Sequence, residues 1–334
     1  MPSSRAAHVL GPECLSRDWA VEPARPFARV AVIIAAKDAS GTIGRAVRSA
    51  LAEPEAAEVI LVDDGSVDDT AEVARACDDG TGRLRVMRQV NRGPSAARNA
   101  AIDSSNSPYV CVLDADDFFT PGRLRRIFEA AGSDWDLVSD KLLLAEEGAE
   151  DGPYERWRAD EALPRELNLA QFVDGNITRA SRPRQELGYL KPLIRRAFLD
   201  AHRLRFREDI WLGEDYLLYT EILARGGRFM TVENYGYVAV QRLSSLSHQH
   251  PAEHLEALVR ADEALAKIPG VPAAGRRALT RHRNSTRRRW THRRVLEAKR
   301  SGEIRQAVVM ALSGPSLLFH IVLETSRAWL ERMP

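Results

Sequence analysis

Three carboxylates fall within four positions at Asp114, Asp116 and Asp117, directly after the apolar run Val110, Cys111, Val112 and Leu113. Such a run reads as a buried strand, and acids at its carboxyl end lie where open α/β sheets bind ligands. Acids this close repel one another. A metal ion, a network of hydrogen-bond donors or solvent must relieve the crowding. A divalent cation of the Mg2+ or Mn2+ kind would be held by few carboxylates and keep waters. Asp117 could cap the next segment or support the site, and a turn of capping acids before Pro121 would produce the same local pattern.

A second acidic pair, Glu214 and Asp215, opens an apolar stretch that runs to about residue 224. A carboxylate at a helix start stays ionised at neutral pH and could take the proton of an attacking hydroxyl. Two acids at a helix start also occur with no chemical role. A third pair, Asp63 and Asp64, precedes Gly65 and could form an Asx turn. Arg98 offers a rigid donor fork to a diphosphate or to the acidic cluster, or lies on a helix surface.

The elements that must carry these residues alternate. Residues 29–36 and 58–62 are β-branched runs, and 84–87 is a third strand. Helices are predicted over about 42–52, 68–77 and 93–104, with Ile43, Ala46, Val47, Ala50 and Leu51 on one face of the first. A parallel sheet with right-handed crossovers is the economical arrangement. It gathers Asp38, Asp63, Asp64, Arg98 and the acidic cluster along one sheet edge. Beyond it, a helix is predicted over 121–131, a strand over 135–138, a polar surface loop over 145–165 and a helix from about 195. A strand over 228–232 follows the helix at 213–224, and residues 251–334 read as helical and Arg-rich.

Five segments in order resemble family 2 glycosyltransferases: VIIAAKD at 32–38, ILVDDGSVDDT at 60–70, NRGPSAARN at 91–99, VLDADD at 112–117 and GEDYLL at 213–218. Within that family, the run from Gly188 through Tyr219 most resembles bacterial exopolysaccharide transferases of the succinoglycan-biosynthesis type. The resemblance implies an α/β GT-A nucleotide-diphospho-sugar transferase fold, a mostly parallel wound sheet flanked by helices with a C-terminal helical extension. It divides the chain into an N-terminal extension (1–28), a catalytic domain (29–250, with a nucleotide half to about 120 and an acceptor half from 121) and a basic helical region (251–334).

The resemblance also implies inverting transfer from a nucleotide sugar, a UDP-hexose such as UDP-glucose, to a glycan or lipid-linked acceptor. Asp215 would be the base. Asp64 would accept from the nucleotide base, with Ala35, Lys37, Asp38, Arg98, Asp114, Asp116 and Arg242 around the donor. Mg2+ or Mn2+ would sit on Asp116 and Asp114, with Asp114 reaching either the metal or the ribose. Glu214 would support Asp215 or bind the acceptor. From their charge, Lys191, Arg195 and Arg196 could meet an acceptor phosphate or equally cap and solvate a helix. The chain has Ala36, Lys37 and Asp38 where the family pattern is Pro-Tyr-Asn, so the aromatic that stacks on the base is replaced. A nucleotidyltransferase would need a Gly-rich basic loop after the first strand, and 37–44 lacks a convincing one. A non-catalytic sugar-nucleotide-binding protein is the other alternative.

A formal net charge of +1 over 334 residues points to no class of partner, but the charge is uneven. Residues 276–300 hold eleven Arg or Lys against the single acid Glu297. This could be a solvated helix face or a contact with an anionic membrane surface, extended by the apolar segment 307–323, which could instead dock on the catalytic domain. No nucleic-acid motif accompanies the charge. Cys14, Cys77 and Cys111 have no metal-binding or disulfide spacing, which fits a reducing compartment. Neither a signal peptide nor a membrane span is predicted. The protein is expected on the cytoplasmic side, or peripheral on the inner face of the plasma membrane.

Overall fold

The computed structural model describes residues 9–10, 29–157, 165–178, 185–241, 252–303, 305 and 309. Arg242 and nearly all of the 307–323 segment lie outside the described residues. In chain order the elements are β1 (Val9–Leu10), β2 (Val30–Ala36), α1 (Ile43–Leu51), β3 (Ala56–Asp63), α2 (Thr70–Arg75), β4 (Leu84–Arg88), α3 (Pro94–Ser104), β5 (Tyr109–Val112), β6 (Phe118–Phe119), α4 (Arg123–Ala131) and β7 (Leu137–Glu146). They continue as β8 (Tyr154–Arg156), β9 (Glu166–Leu167), α5 (Leu169–Gly175), β10 (Leu193–Arg195), α6 (Arg196–Ala201), α7 (Glu214–Ala224), β11 (Phe229–Gln241), α8 (Ala252–Leu265) and α9 (Ala273–Arg300). Two compact units result. The first is Met1–Asn168 with Leu187–Glu208 and Glu214–Ser245; the second is Leu169–Glu186 with Asp209–Gly213 and Leu246–Pro334.

The first unit is built on one mixed sheet, ordered β1-β8-β7-β10-β5-β2-β3-β4, with β11 also pairing β7 and carrying β6 and β9. Strands β5, β2, β3 and β4 are parallel, as the strand–helix alternation predicts. Val30 to Ile34 and Val59 to Leu61 are fully buried, which is why they read as unbroken apolar runs rather than alternating ones. Fully burying each such side chain contributes about 1.5–3 kcal/mol. Helix α1 buries the predicted face, Ile43, Ala46, Val47, Ala50 and Leu51.

The later strands differ from expectation. β10 is antiparallel to both β5 and β7, and at three residues it is too short to show a period. β7 starts at Leu137 and continues across Ser139, Asp140 and Lys141 to Glu146; those polar residues hid it. Tyr154–Arg156 pairs with β7 inside the stretch expected to be a surface loop. β11 runs on past Glu233 and Asn234 to Gln241, with register shifts between Thr231, Tyr235 and Tyr237. The extra length of β11 brings Tyr237 and Val240 beside the acidic loop.

In the second unit α9 packs on α5 and α8. It buries Ala278, Leu279 and His282, and His282 pairs through Nδ1 with the buried Asp262 at 2.7 Å. Arg281 forms an ion pair with Asp174 at 2.7 Å. No helix among the described residues is long and apolar enough to cross a membrane.

Candidate active site

The acidic loop after β5 is clamped from β11. Asp117 is buried; one carboxylate oxygen accepts from the Val240 N–H at 2.9 Å and the other from the Tyr237 hydroxyl at 2.7 Å. That same hydroxyl accepts from the Asp114 N–H at 3.1 Å, and the Asp117 N–H closes the turn onto the Asp114 carbonyl. Asp117 therefore supports the site and does not cap the next helix. Asp116 is half-buried between Asp114 and Asp117 in the chain. Burial, then the charges of Asp114 and Asp116, push the Asp117 carboxyl up to about 8.

Asp114 takes part in a ring of ion pairs. Its Oδ1 accepts from Arg98 Nη2 at 2.8 Å, and its Oδ2 lies 2.7 Å from Lys191 Nζ. Lys191 Nζ also lies 2.7 Å from Asp215 Oδ2. Arg98 Nη1 reaches Glu214 Oε1 at 2.8 Å and Asp215 Oδ1 at 3.5 Å, closing the ring. Burial alone would favour neutral groups. The facing carboxylates outweigh it and hold Arg98 and Lys191 well above their ordinary ranges, while Lys191 and Arg98 hold Asp114 well below the carboxylate range. Arg98, Lys191 and Asp114 are thus charged at neutral pH. Two basic side chains face three acidic ones within the ring.

The elements that bring these groups together are local and simple. Gly93, at φ 91°, turns the chain into α3, and Pro94 at the first helical position starts it. Ala96, Ala97 and Ala101 are small enough to seat α3 on the sheet, which leaves Arg98 buried at the strand ends. Glu214 and Asp215 form the first turn of α7. Lys191 precedes β10, which pairs with β5 and so sets Lys191 beside the strand that ends in Asp114.

The predicted nucleotide-side residues form a neighbouring pair of loops after β2 and β3. Ala35 is half-buried on β2, opposite Val62. Asp38, at φ 50°, accepts from the Val67 N–H through Oδ1, and its own N–H donates to Ser66 Oγ. Lys37 stands exposed and pairs with Asp38 at 2.8 Å. Asp63 and Asp64 serve the backbone. Asp63 Oδ1 accepts from the Ser66 N–H at 2.8 Å. Asp64 accepts from Gln89 Nε2 and the Arg92 N–H on Oδ1, and from the Gly93 N–H on Oδ2. Gly65 is required here: at φ 75°, an added Cβ would stand 2.9 Å from the Asn91 N atom.

Sequence reasoning missed the support behind the ring. Arg123 and Asp140 are both fully buried and paired at 2.7 Å. The Arg123 guanidinium lies over the rings of Phe119 and Tyr237, at 4.7 and 5.2 Å, and donates to the Lys191 carbonyl at 2.6 Å and to Cys111 Sγ. Gly236 leaves it room, since a Cβ there would meet Arg123 Cγ at 2.5 Å. The available signal was an acid inside an otherwise strand-like run at Asp140. Arg195 and Arg196 bond to backbone carbonyls, Arg195 to those of Ser133 and Trp135 and Arg196 to those of Ile102 and Ser107.

No group of three or more His, Cys, Asp or Glu among the described residues is arranged to hold a metal ion by itself. The donor set still suits a hard cation that takes most of its ligands from a diphosphate and water. Asp116 and Asp114 are the carboxylates that would hold it, Asp114 sharing its oxygens with Arg98 and Lys191, and the Asp117 carboxyl is raised by burial and then by the neighbouring acid charges that a cation would relieve.

A family model described as glycosyl transferase family 2 matches residues 31–184. The succinoglycan biosynthesis protein ExoU of Rhizobium meliloti (strain 1021) is 47% identical over 88% of this chain and 85% of its own. ExoO of the same organism is 34% identical over 87% and 83%. Among solved structures, S. aureus TarS 1–349 in complex with UDP-GlcNAc superimposes with a TM-score of 0.54 at 18% identity, over 85% of this chain and 91% of that one. The mannosyltransferase PcManGT from Pyrobaculum calidifontis, in complex with GDP-Man and Mn2+, gives 0.56 at 19% identity, over 96% and 86%. The fold is of the GT-A type that the sequence segments imply.

Proposed function

The chain belongs to glycosyl transferase family 2, and from that premise we propose that it moves a hexose from a nucleotide sugar, UDP-glucose or a close analogue, with inversion, to a glycan or lipid-linked acceptor in exopolysaccharide synthesis. Its enzyme class follows from the family. The pathway reading is supported by two relatives named for succinoglycan biosynthesis, and the donor class by neighbours in complex with UDP-GlcNAc and GDP-Man.

The observation that carries the reading is the closed ring. It joins a carboxylate of the acidic loop, Asp114, to a carboxylate at a helix start, Asp215, through two buried cations. A diphosphate leaving group needs cationic surroundings, and Arg98 provides a permanent positive fork beside the acidic loop. An inverting displacement needs a base on the opposite side of the sugar. Asp215, facing Lys191 and Arg98 within the ring, takes that role, and Glu214 orients Arg98 or the acceptor. Asp116 and Asp114 would hold Mg2+ or Mn2+, which supplies Lewis-acid neutralisation of the diphosphate charge when bound. Lys37 and Asp38 would border the nucleotide, and Asp64 fixes the loop beside it.

The acceptor is supplied from a membrane in this reading. Arg276, Arg277, Arg281, Arg287, Arg288 and Arg294 are exposed on α9, and at 3.6 residues per turn they fall within roughly 140° of the helix circumference. Near an anionic bilayer each would contribute on the order of 1 kcal/mol.

The test uses the full chain with UDP-glucose, UDP-GlcNAc and GDP-mannose. One donor with Mn2+ should raise the melting temperature, and chelation should abolish both that shift and nucleotide release. NMR of the first sugar product should show the anomeric configuration opposite to the donor's. Retained configuration, or turnover unchanged in Asp215→Asn, would remove the proposal.

A further inference from the structure

Lys191 was expected to meet the acceptor, but its ammonium is buried and lies 2.7 Å from a carboxylate oxygen on either side, Asp114 Oδ2 and Asp215 Oδ2. A lysine held between two acids is poorly placed to leave them for a passing substrate. Its backbone is fixed too, since Arg123 donates to the Lys191 carbonyl at 2.6 Å from within the sealed pair with Asp140. The two oxygens of Asp215 are therefore unequal. Oδ2 accepts from Lys191, whereas Oδ1 is buried without a hydrogen-bond partner among the described residues, its nearest cation being Arg98 at 3.5 Å. A carboxylate oxygen buried without a hydrogen-bond partner is costly unless a ligand hydroxyl completes it.

We propose that Lys191 is a positioning residue of the transfer step: it pins Asp215 through Oδ2 against Asp114, so that Oδ1 is the oxygen that takes the acceptor's proton. The inference rests on the transferase reading of the same site. In the step, the acceptor O–H bond breaks and its proton passes to Oδ1. The acceptor oxygen forms its bond to the anomeric carbon. The bond from that carbon to the diphosphate oxygen breaks, its electron pair leaving with the nucleoside diphosphate. Asp215 then returns the proton to solvent. Lys191 stays an ammonium throughout. It also ties the base to the acidic loop: a displacement of Asp114 when the donor binds is passed to Asp215 through one side chain.

The experiment follows nucleotide release by hydrolysis of the stabilising donor, UDP-glucose in the first instance, with Mn2+ and the full chain. Lys191→Ala should lower kcat by about 10²–10³-fold, with the donor KM within roughly three-fold, because an interaction serving the proton transfer is removed rather than donor binding. Ethylammonium chloride should restore kcat at least ten-fold in a saturable way, whereas equal potassium chloride should not. A merely structural lysine would give no such charge-specific rescue. Lys191→Met, which keeps the volume, is measured in parallel in case the alanine variant does not fold, and should show the same loss of kcat with donor-induced stabilisation retained. Wild-type kcat in Lys191→Met, or an alanine variant restored by salt alone, would overturn the assignment. Asp215→Asn separates the two levels. If it remains active, the base reading has failed; if it is inactive while Lys191→Met is normal, only the role of Lys191 is lost.

Discussion

Two sets of acids in the first unit are held in different ways. Asp63, which ends β3, and Asp64 accept mainly from backbone N–H groups of residues 66, 92 and 93, with Arg88 and Gln89 as side-chain partners. Asp114, Glu214 and Asp215 are held by the side chains of Arg98 and Lys191. A backbone donor cannot move without unfolding its loop, so the first set is bound into the architecture. A side-chain cation such as Arg98 can exchange a carboxylate for a phosphate, so the second set can respond to a ligand, with Lys191 keeping Asp114 and Asp215 together as it does. Composition does not separate the two sets; the identity of the donor does.

The sharpest way to break this comparison is to remove one charge from each set. Asp215→Asn should lower turnover by about 10²–10⁴-fold, the usual contribution of a general base, and leave the melting temperature nearly unchanged. Asp64→Asn should do the reverse. Losing hydrogen bonds to a charged acceptor costs about 1.5–3 kcal/mol each, so thermal or urea unfolding should report the change while kcat at saturating donor stays within a few-fold. If both variants share one signature, the distinction between the sets is empty. Between these two in expected size stands the support beneath the ring. Arg123→Met leaves Asp140 buried and unpaired and should cost about 3–5 kcal/mol in urea unfolding, and Asp140→Leu should cost a similar amount. The double variant should recover part of that loss, because the penalty comes from the orphaned charge. Additive losses would mean that the two residues act separately.

How legible all this was in the sequence follows the same division. Strands buried on both faces print themselves as apolar runs, so β2, β3 and β5 and the acids that end them could be read directly. Helix α1 was read from its period and buries the predicted face. What could not be read was anything whose donor comes from far along the chain. Tyr237 reaches Asp117 across 120 positions, and Arg98 reaches Glu214 across 116. β7 and β11 were foreshortened because Asp140 and Glu233 interrupt their apolar pattern, the first to pair with Arg123 and the second with Lys141. Lys191 reads from sequence as an acceptor-binding or helix-flanking cation, because its two partners are Asp114, on an earlier loop, and Asp215, on a later helix.

Asp117 belongs to neither set cleanly, and its effect is read only from the pH dependence of stability. Its oxygens accept from one backbone N–H and one phenol, yet burial and the charges of Asp114 and Asp116 push its carboxyl up to about 8 from an ordinary 3.8. The folded state then holds this proton more tightly than the unfolded chain does. Stability from that proton is fully present below about 3.8 and is lost as pH rises through about 8. Measured in chelator, the wild-type melting temperature should fall relative to that of Asp117→Asn between those limits. Asparagine can still accept from the Val240 N–H and can donate to the Tyr237 oxygen, so the clamp survives without a titrating charge. The sign of that divergence, wild type falling relative to the variant as the pH rises, is what the measurement reads. Parallel curves for the two proteins would mean that Asp117 stays ionised across the range, and would place it with Asp63 and Asp64 among the acids held by the fold alone.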